Sequence, residues 1–136
     1  MNMEKIKKLL EKKIFVLDGP MGTMIQKRKL NEKDFRGKKF KNFKNNLQGN
    51  NDILNLSNEK IIYDIHSEFL NAGADIIETN TFNSTKISQA DYGCENFSYE
   101  LNFSGGKIAR KAADDSMSRS KDLKLVAGVV GPTNRT

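Results

Sequence analysis

The segment Phe15-Val16-Leu17-Asp18-Gly19-Pro20-Met21-Gly22-Thr23-Met24-Ile25-Gln26 sets a short apolar run against an abrupt stop at Asp-Gly-Pro. Helix-compatible residues resume two positions later. A buried parallel strand that delivers one charged side chain to its carboxyl end has this pattern. Gly19 and Gly22 lack a Cβ, so a ligand can approach the backbone closely, and amides there suit a carboxylate or phosphate. A plain strand-to-helix turn has the same local chemistry, so the segment alone leaves both readings open. Neither the dinucleotide-binding glycine spacing nor the phosphate-loop pattern occurs.

Upstream, residues 4–13 place Ile6, Leu9 and Leu10 at helical spacing with lysines opposite, predicting a short amphipathic helix. Residues 14–17 are the first predicted strand and 23–28 a short helix. From 29 to 51 the apolar residues thin to Leu30, Phe35, Phe40, Phe43 and Leu47 among Lys, Asn and Gly. The spaced phenylalanines predict a long loop wrapped over the body. Ser57 or Asn58 is the predicted cap of the next helix, with Glu59 in its first turn. Ile61, Ile62, Ile65, Phe69 and Leu70 form its apolar stripe, and Gly73 its stop.

Residues 75–79 are the second predicted strand, centred on Ile76 and Ile77. It finishes in the polar run Glu78-Thr79-Asn80-Thr81-Phe82-Asn83-Ser84. A helix over 99–116 follows, in which Gly105 and Gly106 each cost about 1 kcal/mol relative to alanine. Residues 125–130 are the third strand, closed by Gly131-Pro132-Thr133-Asn134. This β-α-β-α-β order predicts an α/β domain with a parallel sheet. Ligands bind such sheets at the strand carboxyl ends, so Asp18, the 78–84 run and the 131–134 turn are expected on one rim. Three strands do not close an eight-stranded barrel, which takes about 250 residues. An open parallel edge is also an aggregation hazard. The pattern therefore fits either a small open domain or the beginning of a larger one.

Composition narrows the function classes. No apolar run in the 136 residues approaches the roughly 18 needed to span a membrane. The charged start lacks an apolar signal core. Cys94 is the only cysteine, which excludes an internal disulfide framework and fits a reducing, cytoplasmic setting. One cysteine and one histidine make a self-contained zinc site implausible. The net charge of +6 is uneven, with 14 Lys/Arg against 5 Asp/Glu in residues 1–44 and 9 against 12 thereafter. Those lysines are scattered among asparagines, without interleaved aromatics or a nucleic-acid motif. Lys and Asn enrichment together is what an AT-rich coding sequence produces. Neither nucleic acid nor membrane is an expected partner.

Several segments are specific enough to carry a family resemblance. They are Leu-Asp-Gly-Pro-Met-Gly-Thr-Met-Ile-Gln from Leu17, Asp34-Phe35-Arg36-Gly37, and Gly49-Asn50-Asn51-Asp52. The run from Gly73 to Ser84, Ala90-Asp91-Tyr92, and the closing run from Ala127 to Arg135 belong with them. In this order they resemble the amino-terminal homocysteine-binding domain of cobalamin-dependent methionine synthase, the 5-methyltetrahydrofolate–homocysteine methyltransferase. The likeness runs from about residue 6 to 136. The Asp-Phe-Arg-Gly and Gly-Asn-Asn-Asp segments favour this enzyme over the shorter homocysteine methyltransferases that use other methyl donors.

The resemblance implies a partial (β/α)8 TIM barrel, about the first three βα units with parallel strands. Residues 1–136 would be an amino-terminal portion of the domain, incomplete at the C-terminus. It further implies homocysteine as substrate, with its sulfur on a zinc ion held by cysteine thiolates. A thiol is a poor nucleophile at neutral pH, and zinc favours the thiolate. The methyl group would come from methylcobalamin, giving methionine. The remainder of the methionine synthase chain, with its folate, cobalamin and activation modules, is the implied partner.

Carried over by residue, Asp18 matches the strand-end carboxylate that faces the homocysteine amino group, a charge-assisted contact. Gly19, Met21 and Gly22 match the turn against the amino-acid end of the substrate. Thr81, Asn83 and the 131–134 turn match rim segments. Glu78 reads more readily as structural than as a ligand. The departures are as informative. The family's zinc cysteines lie beyond residue 136, so the zinc and cobalamin ligands are not in this sequence. Cys94 sits in neither cysteine motif and reads as a free thiol, and His66, beside the apolar stripe, reads as a packing or surface residue. Pro20 stands where the family often has a small residue, and Gly105-Gly106 where alanines are common. Residues 1–136 alone are thus expected to be inactive. The alternative is a non-catalytic gene remnant or one subunit of a split barrel.

Overall fold

The computed structural model describes residues 3–133. At its centre β1 (Ile76–Glu78) pairs in parallel with β2 (Leu125–Ala127), Ile77 lying opposite Val126. On the other side of β1, Leu17 bridges Ile76 in parallel. The Asp18 amide donates to the Ile76 carbonyl at 2.9 Å, and the Asp75 amide to the Val16 carbonyl at 2.8 Å. Three parallel segments with helices between them form the expected α/β arrangement.

The first segment departs from expectation. Residues 14–17 make one bridge rather than a strand, and they are not buried: Ile14 is 89% and Val16 54% exposed. Among the described residues this segment has a strand partner on one edge, and no layer covers Ile14, Val16 and Leu17. β2 likewise ends at Ala127, three residues earlier than predicted, and Val130 is exposed. Asp75 fastens the first segment from below. Its buried carboxylate accepts from Lys13 Nζ at 2.6 Å and from the Val16 amide at 3.1 Å, with Lys124 Nζ 3.7 Å away. Burial raises the carboxyl pKa, but the Lys13 and Val16 hydrogen bonds and the two ammonium charges outweigh it and hold it below its ordinary value.

The helices are α1 (Met3–Leu10), α2 (Met21–Lys27), α3 (Glu32–Arg36), α4 (Leu54–Ser57), α5 (Glu59–Asn71), α6 (Lys86–Gln89) and α7 (Ser98–Ser120). The 29–51 stretch does wrap the body: Phe35, Phe40 and Leu47 are buried, and Phe40, Phe43 and Phe97 meet edge to face. It also contains α3, which the sequence reading missed. There Asn31 and Asp34 form a reciprocal capping box, which satisfies two helix-terminal amides at once. The predicted cap of α5 is not made. Asn58 occupies the cap position without a side-chain bond, and the Ser57 hydroxyl donates to the Ile53 carbonyl, because Ser57 closes α4 instead. Gly73, at φ +108°, ends the α5 turn as predicted.

α5 and α7 pack on each other and on the sheet. Ile25, Ile53, Leu54, Ile62, Ile65 and Leu101 make the main core, while Ala109, Ala112 and Ala113 bring α7 close to Ile77 of β1. Gly105 belongs to this close approach. A Cβ there would lie 2.7 Å from Thr81 Cγ2 and 2.8 Å from Asn55 Nδ2, so the glycine's helix cost is set against tight packing; Gly106 meets nothing. No described helix is long and apolar enough to cross a membrane.

His66, on α5, is fully buried with neither ring nitrogen hydrogen-bonded. Burial lowers its pKa from 6.5 to about 4. The unfolded chain therefore takes up a proton before the folded one does, and stability falls as pH drops from 6.5 towards 4. The expected loss is about 3 kcal/mol. Urea midpoints across this window should show it, and His66→Leu should remove it. An unchanged slope in that variant would clear His66 of the effect.

Candidate functional site

The carboxyl ends of the three segments open onto a cleft of about 560 Å³. The Asp18-Gly19-Pro20-Met21-Gly22 turn forms one wall, and Glu78, Thr79, Asn80, Phe82 and Asn83 form another. Val129 comes from beyond β2, and Asn51 and Asp52 from the 3-10 turn Asn51–Ile53.

Asp18 is the least settled group here. Its Oδ2 accepts from the Glu78 amide at 3.0 Å, whereas Oδ1 is shut off from solvent and has no partner among the described residues. Burial pushes the carboxyl up to about 6; the Glu78 amide bond opposes the shift and the Glu78 charge adds to it. An unpaired, inaccessible carboxylate oxygen is costly unless something donates to it. Gly19 is small for a reason: a Cβ would stand 2.9 Å from the Phe69 ring. At Gly22 the space is open, and a Cβ would have Asn51 Nδ2 as its nearest neighbour at 3.6 Å. Met21 begins α2 and packs partly against the core.

Of the residues singled out from the sequence, Asp18, Gly19, Met21, Gly22 and Asn83 line this one cleft. Thr81 does not. It is buried, its hydroxyl 2.7 Å from that of Thr79 and donating to the Val129 carbonyl at 2.9 Å. Thr79 in turn accepts from the Val129 amide at 3.0 Å. The two threonines stitch the rim segments together. Gly131 lies against the Phe82 backbone, where a Cβ would overlap the carbonyl oxygen. Asn134 falls outside the described residues. Glu78 is exposed at the cleft and joins no ion pair among those of the described residues.

Sequence reading missed Asp52 as a wall residue. It is 2% exposed, and Oδ2 accepts from the Asn83 amide at 2.8 Å and the Ser84 hydroxyl at 2.7 Å. Burial raises its pKa against the pull of those two bonds. The Gly49-Asn50-Asn51-Asp52 motif was the signal that could have found it. The cleft thus presents three carboxylates, from Asp18, Asp52 and Glu78, and no Lys, Arg or His among its lining residues. Such a wall favours a cationic group on whatever it binds.

Residues 15–136 match the family model described as homocysteine S-methyltransferase. The chain belongs to the homocysteine S-methyltransferase family. Among solved structures, it is similar to the homocysteine methyltransferase MmuM from Escherichia coli in its metallated form, with 27% identity and a TM-score of 0.71 over 93% of this chain. The oxidized form of the same enzyme matches at 27% identity and a TM-score of 0.73, again over 93%. The chain spans 41% and 40% of those two proteins' lengths, respectively. In this family's terms, the described fold is part of a (β/α)8 barrel, with the cleft at the carboxyl ends of its strands.

Proposed function

We propose that this chain supplies the wall that recognises the amino-acid end of homocysteine in a methyl-transfer site of the methionine synthase type. The single observation that carries the reading is Asp18 Oδ1, an unpartnered carboxylate oxygen at a strand end in an acid-lined cleft. A turn of the Asp18 carboxylate towards the cleft brings an oxygen to the homocysteine ammonium, a charge-assisted contact in a partly desolvated place. Gly19, Met21 and Gly22 bring backbone close to the substrate, and Asn83 faces it from the opposite wall, whereas Thr81 acts by fixing the rim. In the full reaction, zinc-activated homocysteine would take its methyl group from methylcobalamin, recharged by 5-methyltetrahydrofolate, to yield methionine in the cytoplasm.

The described residues do not fit the zinc. Among them no group of three His, Cys, Asp or Glu side chains is placed to hold a metal. Cys94 is fully buried outside the cleft lining, its Sγ 3.7 Å from the Tyr92 carbonyl. Burial, then the Glu95 charge, pushes its thiol up to about 11, the opposite of what a thiolate ligand needs. Zinc ligands and the cobalamin surface would therefore come from other parts of the family's architecture, and residues 1–136 alone would bind substrate weakly without turning it over.

The test is a titration of the isotopically labelled chain, followed by NMR, with homocysteine and with 4-mercaptobutanoate, which lacks only the amino group. Homocysteine should shift resonances of residues 18–22 with a dissociation constant near the millimolar range, about −4 kcal/mol. The amine-free analogue should bind at least tenfold more weakly. Equal binding of the two would defeat the assignment of Asp18.

A further inference from the structure

Asn83 stands at the mouth of the cleft, on a loop with no regular secondary structure, yet its backbone is held from both sides. Its amide donates to Asp52 Oδ2 at 2.8 Å. Its carbonyl accepts from Gln89 Nε2 at 3.0 Å. Gln89 is itself locked by a reciprocal amide pair with Asn50, at 2.8 Å and 3.2 Å. Asn50, Asp52 and Gln89 are all at most 2% exposed, so these bonds form away from competing water. The next residue is fixed by the same hub: the Ser84 hydroxyl donates to Asp52 Oδ2 at 2.7 Å, and its carbonyl accepts from Ser98 Oγ and Asn102 Nδ2.

Two buried polar side chains, Asp52 and Gln89, converge on one exposed residue, and a third, Asn50, braces Gln89 from behind, which exceeds what closing a surface loop requires. A loop satisfied by solvent would leave its backbone groups to water. Here a buried amide and a buried carboxylate hold the backbone of a residue that lines the acid cleft.

We propose that Asn50, Asp52 and Gln89 form a clamp that sets Asn83 against the bound amino-acid ligand, making Asp52 and Gln89 positioning residues of the site. The inference rests on the reading of the cleft as a homocysteine site. The clamp acts through the backbone of Asn83; Asp52 Oδ2 is already occupied by protein donors. Asp52→Asn keeps an oxygen in the same place and retains both bonds in weaker, neutral form, while Asp52→Ala removes them.

The experiment uses the labelled chain as wild type, Asp52→Asn, Asp52→Ala and Gln89→Ala. Two quantities are read for each: the hydrogen-exchange rate of the Asn83 amide, and the homocysteine dissociation constant corrected for the folded fraction. Exchange should quicken in the order wild type, Asp52→Asn, Asp52→Ala, at least tenfold at the end of the series. The dissociation constant should rise in the same order, at least threefold for Asp52→Ala, and the homocysteine-induced shift of the Asn83 side-chain amide should disappear. Partial recovery in Asp52→Asn guards against simple unfolding. Unchanged Asn83 exchange in Asp52→Ala overturns the clamp, even if the wild type binds homocysteine. Quickened exchange with an unchanged dissociation constant overturns the positioning role and leaves a structural one. Absence of homocysteine binding by the wild type sinks the function reading and the positioning role with it; normal Asn83 protection separates that result from failure of the clamp.

Discussion

Asp18→Asn is expected to abolish amino-acid recognition while making the empty protein relatively more stable at neutral pH. The folded-state pKa of Asp18 is about 6 against an ordinary 3.8. Below pH 3.8 the folded and unfolded wild-type chains both carry the proton. As pH rises through 6, the folded state must give it up into a place that disfavours the charge, and wild-type stability falls. The full shift corresponds to about 3 kcal/mol, and solvent screening at this partly exposed group reduces it to about 1–2 kcal/mol. Asp18→Asn has no proton to lose and should lack that decline. His66 acts in the opposite direction over an overlapping window, so the Asp18 contribution is read as the difference between wild type and variant at each pH. Binding carries the complementary signature. The ammonium needs ionised Asp18, so homocysteine affinity should fall about tenfold between pH 7 and pH 5. Chemical denaturation and ligand titration at matched pH values check both halves. A variant no more stable at pH 7 than at pH 4, relative to wild type, would show that Asp18 is comfortable where it sits.

The second large effect belongs to Gly37, which closes α3 at φ +51° and ψ −150°, a region open almost only to glycine. A Cβ there would overlap the carbonyl oxygen of Ser57, the last residue of α4. Gly37→Ala therefore combines backbone strain with a collision against main chain, which has little freedom to retreat. The cost is expected at about 3 kcal/mol or more. Much of the damage should fall on the docking of the 29–51 wrap. A melting curve would record it, and Gly106→Ala, where a Cβ meets nothing, is the matched control. Equal stability of the Gly37 and Gly106 variants would count against this tight approach of α3 to α4.

What the sequence disclosed, and what it withheld, follows from the physics of each element. The stripe Ile62, Ile65 and Leu70 and the apolar centre Ile77 were legible because burial on one face imposes a period. Strand ends were legible because polar residues break an apolar run abruptly. Asp18, Gly19 and Gly22 could be named from that same break, whereas Met21 came from the family resemblance. The exposure of Ile14 and Val16 was not legible, since an apolar run looks the same whether one neighbour or two will cover it. The Ser57 cap misled for a local reason: a serine between two helices can serve either one. Hardest to foresee were Asn50, Asp52, Asn55 and Gln89. As polar side chains among other polar residues they look like solvated surface, and only tertiary structure reveals them as buried. Gly105 is similar, because a glycine that makes room for Thr81 and Asn55 has no local signature.

The sign of the cleft also bears on how labour would be divided in the proposed reaction. Carboxylates from Asp18, Asp52 and Glu78 attract an ammonium, but the same charges discourage a nearby thiol from ionising. A wall well suited to gripping the amine is thus poorly suited to preparing the sulfur. Under the proposed function, grip and activation would act from different sides of the ligand. The two ends of homocysteine are separated by a two-carbon spacer, long enough to let one molecule meet both.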